Sequence, residues 1–273
     1  MLVLHGGMKM MIRMLRLVSA PVLLTVSSLA LALPLSRTDI TIYDGDSSAA
    51  TGWEGMQEDD ETEPGTVHNQ SWDLESFFTY GSNQLGMIAG YDFYNNLGGD
   101  YRPGDIFIDI NGGIIPGNST GPNGNVNVNN TFGYEYALDI DWVNLSYSII
   151  QLSPGVIVTT TAAYGINAGS NPWVYVSGGT NIGSGSFTKE INLSNAQTGM
   201  SGGSGTGANN HYAAHGFDLS FLGAGTTFTS HFTAACGNDN LMGSSTVVPV
   251  PAAVWLFGSA IGVMGLVRRR LRV

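Results

Sequence analysis

Between residues 33 and 247 the chain is a succession of short runs rich in β-branched and aromatic residues, separated by clusters of Gly, Asn and Pro. The runs fall at 40–43, 72–80, 85–93, 105–110, 131–138, 145–152, 156–164, 173–176, 187–193, 211–221 and 226–235. Several alternate apolar with polar, as in Phe217-Asp218-Leu219-Ser220-Phe221 and Thr227-Phe228-Thr229-Ser230-His231-Phe232, which is the period of a strand with one buried face. No segment in this region carries a 3.6-residue apolar stripe, and the chain's thirty-eight glycines break long helices and suit tight turns. The pattern predicts an all-β fold: a single antiparallel β-sandwich, jelly-roll-like, over residues 33–247. Residues 111–130 and 199–210 are dominated by small, polar and Gly positions, so they read as mobile surface loops. Gly183-Ser184-Gly185-Ser186 reads as turn material.

The two ends follow another pattern. Lys9, Arg13 and Arg16 precede an apolar run over 17–33, and Ala30-Leu31-Ala32 has the small-x-small form of a cleavage site. Residues 1–32 therefore read as a secretory signal peptide cut after Ala32, with Met8, Met10, Met11 and Met14 as alternative starts and an uncleaved anchor as the plainer reading. At the other end, Pro249 and Pro251 lead into an uncharged stretch over 252–267, capped over 268–272 by Arg268, Arg269, Arg270 and Arg272. Basic closure of an apolar run is the stop-transfer pattern, and it predicts one transmembrane helix with its C-terminus inside. Sixteen residues give roughly 24 Å of helix against a ~30 Å hydrocarbon core, a shortfall that snorkelling arginines can cover. The alternative, a buried C-terminal core helix, would need an acidic partner for the arginines.

The tail also carries a resemblance. Val248-Pro249-Val250-Pro251-Ala252-Ala253-Val254-Trp255-Leu256-Phe257-Gly258-Ser259, then a Gly-spaced apolar run and the Arg cluster, resembles the PEP-CTERM sorting signal in its Pro-Ala-Ala-Val-Trp-Leu-Phe-Gly-Ser variant. The name-giving Pro-Glu-Pro is replaced by Pro-Val-Pro. The resemblance implies an exosortase substrate of a Gram-negative bacterium, exported by the Sec machinery, trimmed by signal peptidase, held in the inner membrane by 248–273 and then processed to the cell surface or matrix. Residues 236–243 are similar to a segment of uncharacterised ectodomains of that family, which brings no activity with it.

Charge narrows the partners. Seven of the ten basic residues lie in the two ends, leaving Arg37, Arg102 and Lys189 beside all twenty-one carboxylates, a formal charge of 3 − 21 = −18 for the region between. Nucleic acid is excluded as a natural partner; divalent cations and neutral or cation-bridged exopolysaccharide suit such a surface. The lone Cys236 forms no intramolecular disulfide; it reads as a buried small hydrophobe or as a reactive thiol able to pair between chains, and the preceding Phe232-Thr233-Ala234-Ala235 favours burial. A Cys236–His231 nucleophile would require residues that an extended strand sets ~16 Å apart.

Candidate chemistry rests on carboxylates and aromatics. Asp44, Asp46, Glu58, Asp59, Asp60 and Glu61 crowd one loop, whose charges are either solvated or bridged by Ca²⁺. A second calcium candidate is Asp105, Asp109 and Asn111, spaced to share one strand face. Asp139 to Trp142 and the pair Asp73, Glu75 supply carboxylates of the kind glycoside hydrolysis uses, although no spacing joins a particular pair. His211 and His215 have the i, i+4 spacing of a helical zinc pair in a strand-like context, which separates them by ~13 Å. Trp53 and Trp173 are the candidate sugar-stacking residues. Two functions of different class follow: a non-catalytic envelope or biofilm-matrix protein that binds polysaccharide or surface partners, and a secreted hydrolase or lyase on the same scaffold.

Overall fold

The computed structural model describes residues 33, 36–42, 58, 59, 62, 66–95, 101–114, 125–161 and 170–248. All lie in the compact unit Leu31–Val273. The signal peptide with Ala30 and Ala32, the sorting residues from Pro249 onward, Asp44, Asp46, Trp53, Asp60 and Glu61 lie outside the described residues. No helix among the described residues is long and apolar enough to cross a membrane.

The fold is all-β and antiparallel throughout. Its strands are β1 (Arg37–Asp39), β2 (Ser76–Tyr80), β3 (Gln84–Ala89), β4 (Ile106–Asp109), β5 (Asn127–Asn129), β6 (Tyr136–Asp141), β7 (Ser146–Gln151), β8 (Ile157–Thr159), β9 (Val174–Ser177), β10 (Thr180–Ser186), β11 (Thr188–Leu193), β12 (His211–Asp218), β13 (Thr227–Thr233) and β14 (Asn240–Thr246). They form a five-stranded sheet in the order β1-β2-β3-β12-β11, a six-stranded sheet in the order β10-β7-β6-β4-β13-β14 and a three-stranded sheet in the order β5-β8-β9.

Side-chain parity explains how the sheets stack. From the five-stranded sheet, Phe77, Leu85, Met87 and Ala89 enter the main core, where they meet Ile106, Ile108, Leu138, Ile149, Phe228 and Phe232 of the six-stranded sheet. Intervening residues point the other way, as a period of two requires. Phe107, Ala137 and Ile150 therefore leave the opposite face of the six-stranded sheet and pack with Phe132, Tyr134, Val156 and Val158 under the three-stranded sheet. The six-stranded sheet is thus covered on both faces, a third layer beyond the two-sheet expectation. Ile106-Phe107-Ile108 has the unbroken apolar run that double burial demands.

The flanks of the two larger sheets are joined. On one side β10 continues through Phe187 into β11, so a single stretch of chain is edge strand of both sheets. Phe187 stacks on Phe217 at 4.9 Å and meets Trp142 edge-on at 5.4 Å. On the other side, residues 40–42 run between β2 and β14: Ile40 N–H donates to Phe77 O at 3.0 Å, and Ile42 N–H to Met242 O at 2.8 Å. That passage needs Gly243, because a Cβ there would lie 2.8 Å from Phe77 Cβ.

Several elements differ from expectation, four of them more than at their ends. Residues 183–186 belong to strand β10, paired with β7, and Asn127–Asn129 forms β5 inside the expected loop 111–130. β14 lies where no strand is predicted, and the four-residue helix α1 (Asn195–Thr198) follows β11. In the three strands pairing with a neighbour, rather than local apolar content, holds the segment extended, whereas α1 is started by a capping box in which Gln197 accepts the Ser194 N–H at 3.0 Å. Within 199–210 the backbone is tied down, Gln70 N–H donating to Ser204 O at 3.0 Å and Ser71 N–H to Thr206 O at 3.1 Å. Cys236 is buried, as expected.

Phe232 is fully buried between Phe93 and Trp142, at ring distances of 5.6 and 6.0 Å. Phe232→Ala should lower the unfolding free energy by ~3–5 kcal/mol. Val143→Ala, at a position 73% exposed in the β6–β7 turn, should change it by less than about 0.5 kcal/mol. Urea unfolding followed by tryptophan fluorescence reads both, and equal losses would contradict a core centred on this ring.

Candidate functional site

The β6-β7-β10 part of the six-stranded sheet turns a polar surface away from the main core. Because Leu138 and Ile140 point inward, Asp139 and Asp141 point outward. Register aligns Asp139 with Ser148 and Ser148 with Ser184, and in the next row Asp141 with Ser146 and Ser146 with Ser186. Trp173 and Tyr175, leading into and within β9, wall this floor, with Asn127 of β5 and Thr159 of β8 behind them. The resulting groove has a cavity volume of about 960 Å³.

Three carboxyl groups line the groove, and their roles differ. Asp105, just before β4, is buried; its Oδ1 accepts the Ile140 N–H and its Oδ2 the Tyr175 N–H, both at 2.8 Å. It thereby ties the groove floor to its wall. Burial, reinforced by the neighbouring Asp139 charge, pushes its pKa up to about 8 against the pull of those two hydrogen bonds. Asp141 closes the β6–β7 turn: Oδ1 accepts the Val143 and Asn144 N–H at 3.0 and 2.9 Å, and Oδ2 the Asn144 side-chain amide at 2.7 Å. Those bonds, the amide's first, hold its carboxyl below the usual range. Asp139 is half-buried and hydrogen-bonds to no group among the described residues; partial desolvation, then the Asp141 charge, raises its pKa.

Trp173 belongs to this groove but is no exposed stacking platform. It is only 2% exposed, the Arg102 guanidinium lies 5.0 Å from its ring centre, and its indole N–H finds no acceptor among the described residues. Its backbone carries it inward: its N–H donates to Thr159 O at 2.9 Å and its carbonyl accepts the Asp105 N–H at 3.0 Å.

A second polar cluster lies at the five-stranded sheet. Asp59, Asp73 and Glu75 each bring a carboxylate oxygen within 4.8 Å of the others. Of the six acids proposed for calcium in the first loop, Asp59 alone enters this group; Glu58 is buried but is not one of the three, and Asp44, Asp46, Asp60 and Glu61 lie outside the described residues. Both Glu75 oxygens face His211 Nδ1, at 2.7 and 2.8 Å, and Gln70 Nε2 donates to Glu75 at 2.5 Å. His211 Nε2 meets Asn195 Oδ1 at 3.1 Å, and Asp59 accepts the Ser201 N–H. Burial raises the Glu75 pKa although His211 pulls it down.

The other proposed constellations do not assemble. Asp105 and Asp109 share a sheet face, as parity predicts, but Phe107 stands between them and four residues of strand span ~13 Å. Asp109 instead accepts the Gly112 and Gly113 N–H at 2.9 and 3.1 Å, while Asn111 Nδ2 donates to Glu135. His215 leaves His211 to its carboxylate and meets the Tyr80 hydroxyl at 3.2 Å. Of the groove residues, sequence pattern singles out Asp105, Asp139 and Trp173; Ser148, Ser184 and Tyr175 carry no local signal, since strand register alone assembles them. Compared with family models, curated proteins and solved structures, the chain matches none of them.

The Asp105 carboxyl supplies a pH test. The folded group keeps its proton to about pH 8, whereas an unperturbed one loses it near 3.8. Within that window the folded state binds more protons, so the Asp105 contribution is full below 3.8 and falls as pH rises toward 8. Asp105→Asn, which removes one acceptor, should cost about 1–3 kcal/mol in urea unfolding at pH 5. The gap between wild type and variant should narrow by pH 9; a constant gap would show that Asp105 stays ionised.

Proposed function

We propose that this chain is an exported cell-envelope or biofilm-matrix protein, delivered by 1–32, sorted by exosortase through 248–273, and binding extracellular polysaccharide without turning it over. On this reading the two larger sheets are a jelly-roll-like β-sandwich that serves as scaffold. Export and sorting are supported by the apolar runs with their basic flanks and by the Pro-Ala-Ala-Val-Trp-Leu-Phe-Gly-Ser sequence from Pro251 to Ser259. Ligand binding is carried by one observation: a groove of about 960 Å³ whose half-buried Asp139 makes no hydrogen bond among the described residues.

A hydrolase would draw on Asp105 and Asp139, the two groove carboxyls with raised pKa. Both Asp105 oxygens already accept backbone N–H groups that join β6 to β9, so it acts as a structural tie rather than an acid or base toward a glycan. The geometry therefore favours binding.

Deleting 248–273 should abolish retention at the cell surface and send the protein to the medium or to degradation; unchanged retention on fractionation would remove the sorting assignment. The full-length chain, purified in detergent, should co-sediment saturably with exopolysaccharide from its own host and release no sugar. Sugar release lost on substitution of a single groove carboxylate would establish the hydrolase instead.

A further inference from the structure

We infer that the groove selects an uncharged, hydroxyl-rich glycan, binds it without a metal ion, and uses Asp139 as its anchoring residue; this rests on the polysaccharide-binding reading above. The argument starts from which acceptors are open. Asp105 is consumed by the Ile140 and Tyr175 N–H groups, and Asp141 by its own turn. Asp139 has neither kind of partner, yet it is half removed from water. A partly desolvated carboxylate without donors costs free energy that incoming hydroxyl donors would recover.

Its surroundings extend this acceptor into a row. Ser148 lies directly across from Asp139 and Ser184 across from Ser148, each step one strand spacing of ~4.8 Å. Neither serine hydroxyl is bonded within the described residues, so the row offers one acceptor and two groups that can both donate and accept. That spacing is close to the length of one hexopyranose, whose hydroxyls present the same alternation of donor and acceptor.

Charge and coordination exclude anionic and calcium-bridged polymers. The cation at the groove, Arg102, lies over the Trp173 ring, while Asp139 and Asp141 face the cavity. A uronate or sulfated polymer meets like charge there. Calcium could bridge such a polymer only with several oxygen ligands, since it takes 6–8 in all. The groove has one uncommitted carboxylate to give, and the cluster of Asp59, Asp73 and Glu75 is not part of its lining.

The test uses the full-length chain in detergent with defined polymers: dextran, laminarin and cello-oligosaccharides as uncharged probes, chitosan oligomers as a cationic one and alginate as a uronate. Each is titrated in calcium and in chelator, beside host exopolysaccharide. At least one uncharged probe should bind equally in both conditions, and Asp139→Ala should weaken it by about tenfold or more, the scale of a lost hydrogen bond to a charged group. Because Asp139 makes no side-chain hydrogen bond among the described residues and its partial burial is a cost, the variant should unfold at or above the wild-type thermal midpoint; Asp139→Asn, which retains one acceptor oxygen, should bind between wild type and Ala. Alginate binding that needs calcium, chitosan binding without any uncharged probe, or an Asp139→Ala variant of unchanged affinity would overturn the inference and leave polysaccharide binding standing. Failure of every probe and of the host polymer would remove both.

Discussion

The groove depends on one buried carboxyl. Asp105 sends its two oxygens to different sheets, one to the Ile140 N–H of β6 and one to the Tyr175 N–H of β9, and so fixes where wall meets floor. Bonds of this kind contribute roughly 1.5–3 kcal/mol when the acceptor is charged, while stripping water from a carboxylate costs several. Here desolvation wins, which is why the proton stays on to about pH 8. A neutral Asp105 still accepts both amides, and by staying neutral it leaves Asp139 and the turn-bound Asp141 as the groups that carry charge into the groove. Two acids placed side by side are thus driven into different roles, one a tie and one, on the proposed reading, a contact.

The same fold shows what a strand pattern can and cannot reveal. Alternation marks β13 because one of its faces is apolar, β2 and β3 show instead as apolar runs that bury Phe77 and Met87 on one face and Phe78 and Ile88 on the other, and burial of Cys236 follows from its neighbours. β10 contains two glycines and three residues that are Ser or Thr, so nothing in Thr180–Ser186 distinguishes it from a turn; pairing with β7 and the Phe187 anchor decide its conformation. β5 is polar on either side of Val128 and extended only because β8 holds it. The third layer was legible in principle, since Ile106-Phe107-Ile108 is apolar at every step, but a short apolar run does not say what covers its second face. The groove is less legible still. Asp139 can be noticed as an acid beside Trp142, yet the row it heads exists only once β6, β7 and β10 are in register.

Two acidic places in this chain look alike by composition, and their geometry separates them. At the five-stranded sheet, Glu75 faces His211 and Gln70, and Asp59 takes the Ser201 N–H. Those partners come from segments far apart in sequence, so the cluster fastens the 199–210 stretch and the turn at Gln70–Trp72 onto β12. Glu75 and Asp59 are occupied in holding the protein together, as Asp105 and Asp141 are at the groove. Asp139 differs from the other two groove carboxyls in one respect, that its surroundings take away water without supplying a donor among the described residues. In a region carrying twenty-one carboxylates, number and proximity cannot identify a site. An acceptor left open in a concave, hydroxyl-lined surface can, because the free energy that it lacks in the folded protein is what a ligand would provide.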